Sequence, residues 1–218
     1  ILPKLNDKIA ISTDSFVINP IFFKGGDIGK LSVCGTINDI SMSGAIPLYI
    51  SVGFIIEEGL SFNELERVVK SMAETAKKAN VKIVTGDTKV VERGSCDKLY
   101  INTTGIGIKK DTTPYLGGDT VKDGDKIIIS GTLGDHGISI MNERENLNFS
   151  SNIKSDCCLL NELINDILSV SNNIKVLRDP TRGGIATTLN EISEHSKISM
   201  EINEIDIPIK NEVKSVCD

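Results

Sequence analysis

Acidic residues recur in this chain at positions where an unpartnered carboxylate is costly. Asp14 interrupts an apolar run, Asp27 opens a helical stretch, Asp39 lies within that stretch, and Asp87 falls inside Thr85-Gly86-Asp87-Thr88-Lys89. Mg²⁺ takes oxygen ligands and commonly bridges one or two carboxylates to phosphate oxygens. Acids converging from distant segments would suit that chemistry. Lys89, two residues beyond Asp87, shares its strand face and could complement phosphate charge. Taken singly, each acid is equally an ordinary cap, turn residue or solvated charge. Arg182-Gly183-Gly184 supplies a different element. Free N–H groups at a helix start, with glycines permitting close approach, form an anion site. Asp179 capping that helix, with Pro180 at its first position, is the plainer reading, and the two are compatible.

Familiar phosphate motifs are absent. Gly25-Gly26-Asp27-Ile28-Gly29-Lys30-Leu31 fails G-x-x-x-x-G-K-[ST] in spacing and in its last position, and no G-x-G-x-x-G follows a strand. His136 sits in a glycine turn and His195 at a helix end, both read as structural.

The elements that must position these groups centre on Gly25–Pro47. Ile28, Leu31, Val33, Cys34, Ile37, Ile40 and Met42 predict a largely buried helix, although Gly29 and Gly35 weaken its propensity. A buried helix carries Asn38-Asp39 only if something satisfies them. Gly35 and Gly44 allow another backbone or a ligand to approach. Before this helix, 8–18 reads as a strand, and 48–56 is a second, nearly all apolar. Ser61–Asn80 is the clearest helix, with a Ser61/Glu64 capping box and Leu60 stapled onto Leu65. Its apolar face comprises Phe62, Leu65, Val68, Val69, Met72, Ala73 and Ala76, and Asn80 closes it in a left-handed conformation. Strands follow at 81–91 and 98–108. A polar, turn-rich stretch at 110–125 divides the chain into 1–112 and 113–218. Beyond it we expect strands at 126–134 and 198–207, helices at 135–144, 157–169, 185–194 and 210–216, and a polar loop through 146–156. Strands mixed with helices in both halves give an α/β (α+β) class.

Composition narrows the function. The net charge of −6 disfavours nucleic acid as the main partner. No apolar run is long enough to span a bilayer and no signal peptide is recognisable, so the membrane is excluded and a cytoplasmic location is expected. The cysteines at 34, 96, 157, 158 and 217 show no C-x-x-C spacing and read as reduced thiols. The absence of an initiator Met before Ile1-Leu2-Pro3 makes the chain read as a piece of a longer protein.

Five blocks carry a resemblance: residues 12–51 (STDSFVINPIFF to AIPLYIS), IVTGDTKVVERG, INTTGIG, SGTLGDHGISIM and DPTRGGIATTLNEI. Together and in this order they are similar to the HypE family of hydrogenase maturation proteins. That family itself resembles aminoimidazole ribonucleotide synthetase, thiamine-monophosphate kinase and selenophosphate synthetase. The resemblance implies a two-domain fold of the aminoimidazole ribonucleotide synthetase type. Its amino-terminal sheet domain dimerises and binds ATP with Mg²⁺, and an α/β domain, here incomplete, follows. Asp14, Asp39 and Asp87 match the family's acid motifs and become metal and phosphate candidates, with Asp27, Asn38 and Lys89 beside them and Arg182, Gly183 and Gly184 from the reading above. The implied reaction is ATP-dependent dehydration of a carbamoyl group on the protein's own C-terminal cysteine. The product is a thiocyanate, the source of the cyanide ligand of iron in nickel–iron hydrogenases. A carbamoyltransferase and an iron-carrying scaffold are the implied partners.

The chain departs from that pattern in having no Pro-Arg-Ile-Cys-like tail and no His-Gly-Ser-Gly-Gly-type segment. The catalytic cysteine is thus absent, and residues 1–218 alone are expected to yield no thiocyanate, Cys217 being no substitute. Two other readings stay open: a small-molecule kinase or synthetase of the same superfamily, and a non-catalytic dimeric interaction module.

Overall fold

The computed structural model describes residues 8–145 and 153–217, so part of the polar loop expected at 146–156 lies outside the described residues. Strand β1 (Lys8–Phe16), the short hairpin β2 (Phe22–Phe23) and β3 (Gly26–Asp27), helix α1 (Ile28–Met42), β4 (Ile46–Glu57), α2 (Phe62–Lys78), β5 (Lys82–Val91) and β6 (Leu99–Lys109) form the amino-terminal half. The main sheet has the order β1-β6-β4-β5, with β4 and β5 parallel across the α2 crossover and the other pairs antiparallel.

Helix α1 is the buried centre. The sheet covers one side, α2 another, and the segment leading into a later helix a third, which explains why apolar residues occur all round it. Its buried hydroxyls are satisfied locally or across the interface. Ser41 back-bonds to the Ile37 carbonyl, and Thr36 meets the Thr103 hydroxyl on β6. Gly105 and Gly107 make that contact so close. A Cβ at either position would lie 2.5 Å from Ile40, so the glycines of INTTGIGI create the groove in which α1 rests. Gly35 admits the Phe16 ring rather than another backbone. Gly44 takes a left-handed φ of +77° just past the helix end.

The Ser61/Glu64 capping box is present and Asn80 is left-handed. The buried strip of α2 is narrower than its apolar pattern, however. Val68, Met72, Thr75 and Ala76 are buried, whereas Phe62 is 89% exposed and Val69 and Ala73 face solvent. α2 touches α1 along the line where Gly29 meets Val68 and Met72, and Phe62, at the first turn, projects beyond that contact.

In the second half α3 (Asp135–Glu145), α4 (Asn161–Val170), α5 (Gly184–Ser196) and α6 (Asn211–Cys217) occur near their expected places, with α4 starting later than predicted. The strands expected at 126–134 and 198–207 do not form; the latter holds only a 3₁₀ turn at Glu204–Asp206. Alternating apolar residues suggest a strand face, but a strand also needs a neighbour to bond, and among the described residues none stands beside either segment. Ile128 and Ile205 are accordingly exposed. Buried Asp135 anchors this half, accepting from Lys210 Nζ at 2.7 Å and from the Thr132 hydroxyl. Among the described residues no helix is long and apolar enough to cross a membrane.

Candidate functional site

The sheet register decides where the acids stand. Asp14, Thr103, Val52 and Gly86 form one rung; Ser15, Asn102, Gly53 and Asp87 form the next. Successive residues of a strand point to opposite faces. Asp14 therefore lies on the helix-covered face with buried Thr103, while Asp87 and Lys89 lie on the open face. They also stand on opposite edge strands, three inter-strand spacings apart, or ~14 Å. A single Mg²⁺, whose oxygen ligands sit at ~2.1 Å, cannot join them within one chain.

Asp14 and Asp39 do come together. Ser12, on the same face of β1, donates its hydroxyl to Asp39 Oδ2 at 2.7 Å. Burial is the main force raising the Asp39 carboxyl above the usual carboxylate range. The Ser12 bond and the Arg182 charge oppose it, while the negative charges of Asp179 and Asp14 add to it. The loop Asp179–Gly184 from the second half thus lies over the β1/α1 acids of the first. Arg182, 93% exposed, approaches Asp14 at 4.0 Å, a contact too solvated to hold the loop by itself.

That loop also corrects the capping expectation. α5 begins at Gly184 with Gly183 as its cap, both glycines at positive φ, and no side chain caps it. The Asp179 carboxylate accepts from the Thr181 hydroxyl instead. A Cβ on Gly183 would fall 2.0 Å from Thr187 Oγ1, so only glycine fits this entry. The first turn of α5 carries no acidic residue and offers its N–H groups at the acid cluster's margin.

Two further candidates have structural employment. Asp27 caps α1, accepting from the Gly29 and Lys30 amides at 2.7 and 3.0 Å. Asn38 spends both ends of its amide on the segment entering α4, donating to the Cys158 carbonyl and accepting from the Leu160 amide, each at 2.9 Å. His136 bonds Ser155, packs edge-on against Phe23 and is held below its usual pKa chiefly by burial. Ser12 and Asp179 were not singled out as site residues from the sequence. Alternation along β1 could have placed Ser12 beside Asp14; nothing local could have brought Asp179 there.

Among the described residues no three His, Cys, Asp or Glu side chains are grouped closely enough to hold a metal by themselves. Asp14 and Asp39 nonetheless fit Mg²⁺ in kind. They are hard oxygen donors, one half-buried and electrostatically frustrated, and Mg²⁺ usually takes only one or two carboxylates beside water and phosphate.

A sheet with acids at its edge, a buried helix beneath it and a glycine loop from a second half above it place the chain in a known class. Residues 2–109 match the AIR synthase related protein N-terminal domain and 122–216 match its C-terminal domain. The chain belongs to the AIR synthase related family. Within it, the chain is 49% identical over 212 residues to the carbamoyl dehydratase HypE of Rhizobium leguminosarum bv. viciae, covering 97% of this chain and 60% of that one. A crystal structure of the hydrogenase maturation protein HypE in complex with ATP superimposes with a TM-score of 0.94 at 51% identity, covering 99% of this chain and 64% of that one. A HypE–HypF complex gives 0.92 at 53% identity, covering 96% and 68%. The chain spans about three fifths of the length of the curated relatives it matches.

Proposed function

We propose that this chain carries the nucleotide site of a cytoplasmic, ATP-dependent carbamoyl dehydratase acting in nickel–iron hydrogenase maturation, with residues 1–112 as its ATP-binding and dimerisation unit and 113–218 as its second domain. The observation that carries this reading is the meeting of Asp39 with Asp14 beneath the Asp179–Gly184 loop: a half-buried carboxylate, raised by burial and by two neighbouring acids, at which a bound cation would favour the charged form. The 49% identity to a carbamoyl dehydratase supports the same reading.

An amide oxygen does not depart as oxide, so dehydration of a carbamoyl thioester requires its conversion into a phosphate leaving group. Mg²⁺, when bound, neutralises the charge of the nucleotide phosphates. The chain's own part is to position. Asp14 and Asp39 bind the cation, Ser12 orients Asp39, and Arg182 with the open amides of α5 holds phosphate oxygens. Asp27 and Asn38 act indirectly, by fixing α1 and the segment beside it. The substrate carbamoyl group rides on the thiol of a C-terminal cysteine of the whole protein; its oxygen leaves as phosphate and its two amide protons are lost, so that it becomes the nitrile of a thiocyanate on the same sulfur. It comes from a carbamoyltransferase, consistent with the HypE–HypF complex of relatives, and the product passes to an iron-carrying scaffold.

Asp87 and Lys89 reach the site from a second copy. Among the described residues nothing covers their sheet face, which bears Ile9, Ile11, Ile106 and Ile108, apolar residues suited to burial against an identical face. In the whole protein, Asp87→Asn is expected to weaken nucleotide binding and abolish ATP cleavage with the circular dichroism unchanged; unaltered cleavage refutes the assignment. If the site is shared, mixing inactive Asp87→Asn with inactive Asp14→Asn protein restores roughly a quarter of the wild-type sites, since half of all dimers are then heterodimers and each carries one intact site of its two. No restoration after demonstrated subunit exchange would remove Asp87 from a shared site.

A further inference from the structure

Three cysteines that the proposed reaction does not use lie around the buried centre of the fold. α1 presents Cys34 and Asn38 one turn apart on the same face. Asn38 grips the backbone on either side of Leu159 through the Cys158 carbonyl and the Leu160 amide. Upstream, the Ser155 amide donates to the Lys24 carbonyl at 2.8 Å, and the Cys157 amide donates to the Ser155 hydroxyl at 3.1 Å. These bonds lay 155–160 against α1 and the residues just before it, and the register sets the Cys157 thiol beside that of Cys34, near enough for each to shift the other's titration. More than half the chain separates the two in sequence. Cys34 is buried, Cys157 is partly accessible and Cys158 points outward.

We propose that Cys34 and Cys157 form a redox-active dithiol whose oxidation to a disulfide staples α1 to the segment that enters α4. The roles within the pair are unequal. Cys157 is lowered by the neighbouring Cys34 thiol and by the Lys30 ammonium from one turn earlier on α1, against the opposing effect of burial. Cys34, the buried member of the pair, is raised by Cys157 and by burial and stays a thiol, whereas Cys157 is the one that solvent and a small oxidant can reach. Cys158 is raised, first by burial and then by the adjacent Cys157. Cys157 is therefore the attacking sulfur and Cys34 the resolving one.

The oxidant is a small peroxide. The Cys157 thiolate attacks one peroxide oxygen, the O–O bond breaks, and the departing hydroxide takes a proton to leave as water, giving a sulfenic acid at Cys157. The Cys34 sulfur then attacks that sulfur, the S–O bond breaks, and the hydroxyl leaves with the Cys34 proton as a second water. The two thiols supply two electrons and two hydrogens, and one peroxide becomes two waters. Reversal needs a dithiol reductant. Because α1 also bears Asp39, the link would fix the acid-bearing helix to the second half.

The test treats the whole protein, reduced and freed of reductant, with hydrogen peroxide, and maps it by mass spectrometry after thiol blocking and digestion. The expected product is a Cys34 peptide joined to a Cys157 peptide with loss of two hydrogens, released by dithiothreitol. Cys158→Ser should leave the link intact. Cys34→Ser, or Cys34→Ala should the buried hydroxyl prevent folding, should abolish it and leave a Cys157 sulfenic acid that dimedone captures. A Cys157–Cys158 link, an intermolecular link, over-oxidation of Cys157 without a link, or unmodified thiols in the wild-type protein would each overturn the proposal.

Discussion

At the level of single residues, the molecule holds two acids whose placement opposes stability, and their partners decide the outcome. Asp39 is raised by burial, so the folded state keeps its proton to higher pH than the unfolded chain does. Its contribution is therefore most favourable below the ordinary carboxylate range and is lost as pH rises through the raised value. Asp39→Asn keeps the Ser12 bond and removes the charge. It should stabilise the fold at neutral pH by no more than about 1 kcal/mol given the partial exposure, seen as a higher thermal midpoint, with no gain in acid. The same variant should lose Mg²⁺-dependent stabilisation, and a thermal melt with and without Mg²⁺ reads both effects. Asp135 is the reverse case, 1% exposed and balanced by Lys210. Lys210→Met leaves a buried charge unpaired and should destabilise by about 3 kcal/mol. A denaturant titration with a midpoint equal to wild type would show that water reaches Asp135.

At the level of elements, glycines in helices act through their surroundings rather than through propensity. Alanine in place of glycine gains up to about 1 kcal/mol within a helix. At Gly29 that gain is outweighed: the new Cβ would meet the Val68 carbonyl oxygen at 2.6 Å and Met72 Cγ at 2.7 Å, and a backbone carbonyl cannot turn aside. Gly29→Ala should force α2 away from α1 and cost about 1–3 kcal/mol. At Gly137, in α3, nothing lies within 4 Å of the same atom, so Gly137→Ala should stabilise by about 0.5–1 kcal/mol. Opposite signs for two helical glycines, measured by urea titration, are the expected result.

The whole molecule presents one covered and one bare sheet face. β4 and β6, the most apolar strands, are bonded on both sides, so their backbones offer no free edge; β1 and β5 form the edges. Stickiness therefore belongs to a face, where Ile11 is 68% exposed. Ile11→Lys should leave the single-chain fold intact while turning the proposed homodimer into a monomer by light scattering at micromolar concentration. A variant that stays dimeric would move the interface elsewhere. By the shared-site reading, that monomer should also lose ATP cleavage.

Wherever neighbours in sequence are neighbours in space, the sequence alone determined the outcome. The Ser61/Glu64 capping box, the left-handed Asn80, the largely buried α1 and the shared face of Asp87 and Lys89 follow from short-range geometry, and the five family blocks carried the fold class. Tertiary structure decided the rest. It narrowed α2 to the strip facing Gly29, left 126–134 and 198–207 without a strand partner among the described residues, and gave Asn38 a structural task. It also separated Asp87 from Asp14 by a rung of the sheet and set Asp179 and Arg182 over Asp39 from far along the chain. A residue's spacing fixes which face it takes. What stands opposite that face depends on contacts between segments that no local pattern encodes.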